Sequence, residues 1–212
     1  LNNYAQISSI TLGTADFICV VSAKLARQDS TILDNRPALT NGAYFTLGIS
    51  SAGNIHIYGN SAYILDVANA YPSDTNFVVT VARISNIFYI YVDGVLKGSV
   101  NYSISLLAGD IRIGNNAFQA LVPSLGLEGV INYIGLFTCA GLSQSELSAL
   151  VGTFNTGYLA DLASAKITTK CLINFEAPPV DSSSEFIYVE RYSKSLNSWS
   201  DVTTLYLSLI HI

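Results

Sequence analysis

Apolar and polar residues alternate in short runs along most of this chain, and turn-forming residues separate the runs. The clearest run is IFYIYVDGVLKGSV at residues 87–100. Six strand-favouring residues lead into Asp93-Gly94, and a second apolar segment follows at once. Asp-Gly between such segments is the strongest short-range hairpin signal, because a type I′ turn needs positive φ at both central positions. Phe88, Ile90 and Val92 share one face of the first strand; Tyr89 and Tyr91 share the other.

The same reading extends both ways. Residues 4–12 alternate loosely, and 16–25 (DFICVVSAKL) form a more buried run. Residues 26–42 are polar and hold only a short strand at Thr31-Ile32-Leu33. Segment 43–50 pairs with 54–59 across Ser51-Ala52-Gly53. A weaker run covers 61–68, and 76–84 joins the strand at 87–92 through Ser85-Asn86. Residues 110–114 alternate cleanly, 115–127 read as a long loop, and 128–139 form the longest strand. Helical period appears first at 143–151. There Ser143 and Glu146 have the form of a capping box ahead of Leu147 and Leu150. About ten strands and one capped helix describe an all-β fold: an antiparallel two-sheet jelly-roll sandwich with one short C-terminal helix.

Composition narrows the function. Half of the 212 residues are hydrophobic, ample for one large β domain. Only 12% are charged, and the net charge of −5 argues against a nucleic-acid partner. No apolar run approaches the roughly 18–20 residues of a membrane span. The chain starts at Leu1 and contains no Met, so the expectation is that the true start, with any signal peptide, is missing. Residues 207–212 (LSLIHI) match a translated transposon adapter of sequencing libraries and are read as a scar of a metagenomic fragment. Cys19, Cys139 and Cys171 are widely spaced, with no CxxC and no Cys/His cluster, which argues against zinc.

Catalytic patterns are missing. A jelly-roll glucanase needs two carboxylates across its cleft. The nearest acidic pair, Glu185 and Glu190, points to opposite faces of a strand. His56 alternates with Ile55 and Ile57, which puts it on the solvent side of a hairpin without a nucleophile motif. The expectation is therefore that the chain is not an enzyme. Aromatic and amide residues carry the functional hint, since sugar-binding faces combine flat rings with amide hydrogen-bonders. Tyr58, Asn60, Tyr63, Tyr89, Tyr91, Tyr102, Asn115 and Asn116 are the candidate ligand-binding residues. The plain alternative is that each Tyr simply fills an outer sheet face, where it favours strand formation.

Tyr91–Gly94 (YVDG), Ile113–Asn116 (IGNN), Glu128–Phe137 and Leu142–Glu146, in this order, resemble the concanavalin A-like, laminin-G-like jelly-roll family. The resemblance covers residues 1–152 and is strongest over 76–152. It implies a non-catalytic recognition module of an extracellular, cell-surface or virion-surface protein, with a glycan or a surface protein as partner. The alternative is a structural or assembly domain of a phage tail or head fibre. Many relatives bind calcium, which makes it the one cofactor to consider, with Asp16, Asp66, Asp74 and Asp110 as scattered carboxylates. An acidic residue common in the penultimate strand of that family is Asn132 here. Residues 153–206 fit less well. A second helix is expected near 157–166 and a strand at 170–176, followed by a Pro178-Pro179 break. This segment is either the closing part of the domain or the start of a further module.

Overall fold

A computed structural model of the chain describes residues 5–26, 29–36, 43–114, 127, 129–155, 166–174, 190–193 and 198–201. The strands are β1 (Ala5–Ile10), β2 (Asp16–Leu25), β3 (Ser30–Asp34), β4 (Thr46–Ile49), β5 (Ile55–Gly59), β6 (Ala62–Val67), β7 (Asn76–Ile84), β8 (Ile87–Val92), β9 (Val95–Asn101), β10 (Gly109–Ile113) and β11 (Gly129–Cys139). Helix α1 (Gln144–Phe154) and strands β12 (Ile167–Asn174), β13 (Glu190–Ser193) and β14 (Ser198–Asp201) follow. Two six-stranded sheets form, ordered β1-β10-β3-β4-β5-β6 and β12-β11-β2-β7-β8-β9. Every pairing within them is antiparallel. Among the described residues the fold is thus the antiparallel two-sheet sandwich with one short helix that the alternation and the capping signal predict. β12 pairs along β11 from Tyr133↔Asn174 to Cys139↔Ile167, so the second sheet extends past residue 152. β13 and β14 form a separate hairpin. The expected helix at 157–166 falls outside the described residues, apart from Lys166.

Turn chemistry sets the registers. Asp93 and Gly94 have φ of 49° and 79°, as a type I′ turn requires. Ser85-Asn86 and Asn60-Ser61 close β7–β8 and β5–β6 with the same positive φ at both positions. Asp93 also accepts a hydrogen bond at Oδ1 from the Val78 N–H, at 2.8 Å.

Two apolar layers result. The first lies between the sheets and includes Phe17, Phe45, Ile57, Phe77 and Phe88. The second lies between the outer face of the second sheet and α1, where Leu147, Val151 and Phe154 of the helix are buried. Phe154 stacks on Phe137 at 6.2 Å, and the Tyr133 hydroxyl donates to the Phe154 carbonyl at 2.5 Å. β2 is therefore buried on both faces, which explains why its sequence is a near-continuous apolar run rather than an alternation. The helix begins with a complete capping box: Ser143 Oγ accepts from the Glu146 N–H, and Glu146 Oε2 accepts from the Ser143 N–H.

The second layer corrects the expectation for Tyr89 and Tyr91. They do share one face of the hairpin, but that face is covered. Their exposures are only 4% and 2%, and the Tyr91 hydroxyl lies 3.3 Å from Ser148 Oγ of α1. Neither ring is open to a ligand.

Arg83, fully buried on β7, closes one end of the first layer. Phe17 and Phe88 are its cross-strand neighbours, and its guanidinium lies over both rings at 5.2 and 5.9 Å. Its N–H groups donate to the carbonyls of Gly13, Ala15 and Ile104. One side chain thus ties the β1–β2 connection to the β9–β10 connection. The three cysteines form no disulfide. Cys19 and Cys171 both face Leu136 from opposite sides of β11, about 10 Å apart by strand spacing and too far to bridge.

Candidate functional site

With the second sheet's aromatic face sealed by α1, the outer face of the first sheet is the candidate surface. Alternation puts Ile55 and Ile57 in the core and turns His56 and Tyr58 outward. Cross-strand register then builds a row of facing positions across five strands: Arg112↔Asp34, Asp34↔Thr46, Thr46↔Tyr58 and Tyr58↔Tyr63. Beside it runs a second row, Gly48↔His56 and His56↔Asp66.

The polar end of the first row is buried and closely bonded. Asp34 Oδ1 accepts from Thr46 Oγ1 at 2.8 Å and from the Arg36 N–H at 3.2 Å. Asn35 Oδ1 accepts from the Phe45 N–H at 2.6 Å. The Arg36 guanidinium covers the Tyr44 ring at 4.1 Å. From there an aromatic chain runs outward. Tyr44 lies 6.2 Å from Tyr58, and Tyr58 lies 5.4 Å from Tyr63 at 83°. Exposure rises along it: Tyr44 is 2% exposed, Tyr58 is half-buried and Tyr63 is 58% exposed. Burial pushes the Tyr44 hydroxyl pKa above its ordinary value, with Arg36 opposing that rise.

His56 supports the exposed end. Its ring meets Tyr63 edge-on at 5.0 Å and 73°. A Cβ on Gly48 would fall 2.7 Å from His56 Nε2, so only glycine on β4 lets the imidazole lie there. His56 Nδ1 is buried without a hydrogen bond of normal geometry. Burial pulls the imidazole pKa below its ordinary value, while Asp66, the Asn54 backbone and Asp29 partly counter it. Asn54 Nδ2 donates to Asp66 Oδ2 at 3.0 Å beside the ring. Asn60, in the β5–β6 turn, is exposed at the rim.

Of the residues proposed from sequence, this face brings together Tyr58, Asn60 and Tyr63. Tyr102 lies elsewhere: it packs on the inter-sheet core, and its N–H donates to Asn86 at the β7–β8 turn. Tyr89 and Tyr91 are sealed under α1, and Asn115 and Asn116 lie outside the described residues. Tyr44, Arg36 and Asp34 carry no sequence signal as binding residues, and the sequence considers His56 only as a catalytic candidate. For His56 the signal was present, because the alternation that turned it outward also placed it two residues from Tyr58 on the same face. Among the described residues no three His, Cys, Asp or Glu side chains gather as a metal site. Asp16 Oδ1 instead accepts from the Ser85 N–H, and Asp74 faces Lys24 at 3.5 Å.

No protein-family model matches the chain. No curated protein matches it either. Solved structures do. The CBM40 domain of the Ruminococcus gnavus IT-sialidase shares 15% identity at a TM-score of 0.53, over 70% of this chain and 98% of that one. Domain 4 of AbnA, a GH43 extracellular arabinanase from Geobacillus stearothermophilus, shares 15% at 0.54, over 71% of this chain and 74% of that one. The SAP-like pentraxin of Limulus polyphemus shares 11% at 0.52, over 70% and 75%. At these identities the likeness establishes a common β-sandwich fold.

Proposed function

We propose that this chain is a non-catalytic glycan-binding module of the concanavalin A-like, laminin-G-like kind, acting on an extracellular, cell or virion surface. Its binding face is the outer face of the first sheet. The observation that carries this reading is the Tyr63 ring, open to solvent yet held edge-on by Tyr58 and His56. A sugar ring stacks on such a platform, while Asn60 and the Asn54–Asp66 pair supply hydrogen-bonding groups around it. The neighbours in fold support this: the CBM40 domain has been seen bound to α2,3 sialyllactose, and the arabinanase domain in complex with arabinotriose.

The non-catalytic part of the reading rests on the sequence, which lacks the paired carboxylates of a jelly-roll glucanase. A glycan array tests the reading, with Tyr63→Ala as control. Hits that the variant loses sustain it. An array without hits leaves the assembly role as the better account.

A further inference from the structure

We propose that His56 is a pH-responsive prop beneath the sugar platform: protonating its imidazole displaces the Tyr63 ring and weakens glycan binding as acidity rises. This rests on the glycan-binding reading of the same face.

The neutral ring fits its place closely. It fills the trough that Gly48 leaves on β4 and meets Tyr63 edge-on. Its Nδ1 is buried and lacks a well-formed hydrogen bond. A protonated imidazole is a donor at both nitrogens; the Asn54 backbone favours that form, but in the present position the buried Nδ1 makes no well-formed hydrogen bond, so an imidazolium gains by shifting. The groups around it set where it goes. β4 offers no charge, only Gly48. β6 offers Asp66 directly across from His56, together with Tyr63 itself. Asp29, just ahead of β3, adds a more distant negative charge, and Tyr58 shares the outward face two residues along β5. The pull on an imidazolium is therefore toward Asp66, out of the trough and away from the edge-on contact that steadies Tyr63. Histidine is the side chain whose ordinary pKa places this event in a physiological range, and burial moves it lower still.

The counterforce is a cation–π attraction between the imidazolium and Tyr63, which would hold the ring where it is. The experiment separates the two. Ring resonances of His56 and Tyr63 are followed by NMR in the ligand-free chain between about pH 5 and pH 8. Calorimetry with arabinotriose and with α2,3-sialyllactose, neither of which titrates in this range, is run at both ends. Tyr63 should move with the same midpoint as His56, below the ordinary imidazole value. Affinity for whichever oligosaccharide binds should fall roughly two- to tenfold in acid, the range one aromatic pair is worth. The ratio of the two affinities should return to near one in His56→Phe, and in His56→Gln should the bulkier ring disturb folding.

A Tyr63 ring that stays still while His56 titrates overturns the proposal. So does an unchanged affinity, or an acid loss that persists in both variants. Failure of both oligosaccharides at every pH, with an empty array, counts against the glycan reading. Movement of Tyr63 in the free protein then decides the prop alone.

Discussion

Replacing Arg83 tests the architecture most directly. The side chain is fully buried, sits between two phenylalanine rings and donates to three backbone carbonyls, with no carboxylate partner among its hydrogen bonds. Arg83→Met keeps most of the stem's volume and removes the donors. The bond to Ile104 is buried, and leaving that carbonyl unsatisfied costs about 1–3 kcal/mol. Gly13 and Ala15 are more open, so water can replace part of what their carbonyls lose; together they add about 1 kcal/mol. The lost cation–π contacts contribute about 1–2 kcal/mol. Against these stands the relief of no longer burying a guanidinium, which can be worth about 1–4 kcal/mol on its own. The net expectation is a loss of about 2 kcal/mol, or a Tm lowered by about 4–8 °C for a chain of this size. Urea and thermal unfolding of the two proteins measure it. Arg83→Lys is the sharper comparison. A single ammonium cannot reach three carbonyls set around a planar fork, so Lys should do at least as much damage as Met. If Met costs under about 1 kcal/mol, or if Lys behaves like the wild type, the carbonyl-clamp argument fails.

Four further outcomes follow from the same geometry. Tyr63→Ala should lower affinity for an array-identified glycan by about tenfold without altering the unfolding midpoint, since the ring is exposed; the remaining wild-type affinity should vary little between low and high salt, because stacking and amide bonds dominate. Gly48→Ala should displace His56, whose Nε2 lies 2.7 Å from the added methyl, and should weaken the same binding while circular dichroism shows the sheets intact. Ser143→Ala should cost about 1 kcal/mol by removing half of the capping box. Glu146 belongs to the same cap, and the hydrogen bond from Lys166, then those from Ser143, hold its carboxyl at about 2. A lowered carboxyl pKa stabilises the fold above the ordinary value and loses that contribution as pH falls toward 2. Glu146→Gln should therefore flatten the acid limb of a stability profile.

Much of the fold is legible because local signals and tertiary need coincide. Asp93-Gly94 has to turn left-handed, and Ser143 with Glu146 has to cap; both act within a few residues. The two-sheet arrangement follows from period-two alternation on β5 and β10. What could not be read was which second face would be covered. Tyr89 and Tyr91 alternate out of the core just as Tyr58 does, and nothing within β8 says that α1, some fifty residues later, lies over them. The candidate site has the same limit. Tyr58, Asn60 and Tyr63 are close in sequence and were found. Tyr44 joins Tyr58 through the β4–β5 pairing, and Arg36 joins Tyr44 through a loop, contacts that no spacing rule supplies. His56 has no catalytic partner pattern in the sequence, although a supporting role needs none.

On the proposed reading, the helical layer over the second sheet also bears on how many glycans one copy would hold. With the β8 tyrosines spent on packing, the first sheet is the one that presents an open aromatic face among the described residues, which would give each molecule a single grip. One stacked ring and a few amides make a weak grip. Lasting attachment to a sugar-coated surface would then come from several copies held together, where linkage multiplies residence without adding any contact to the individual face.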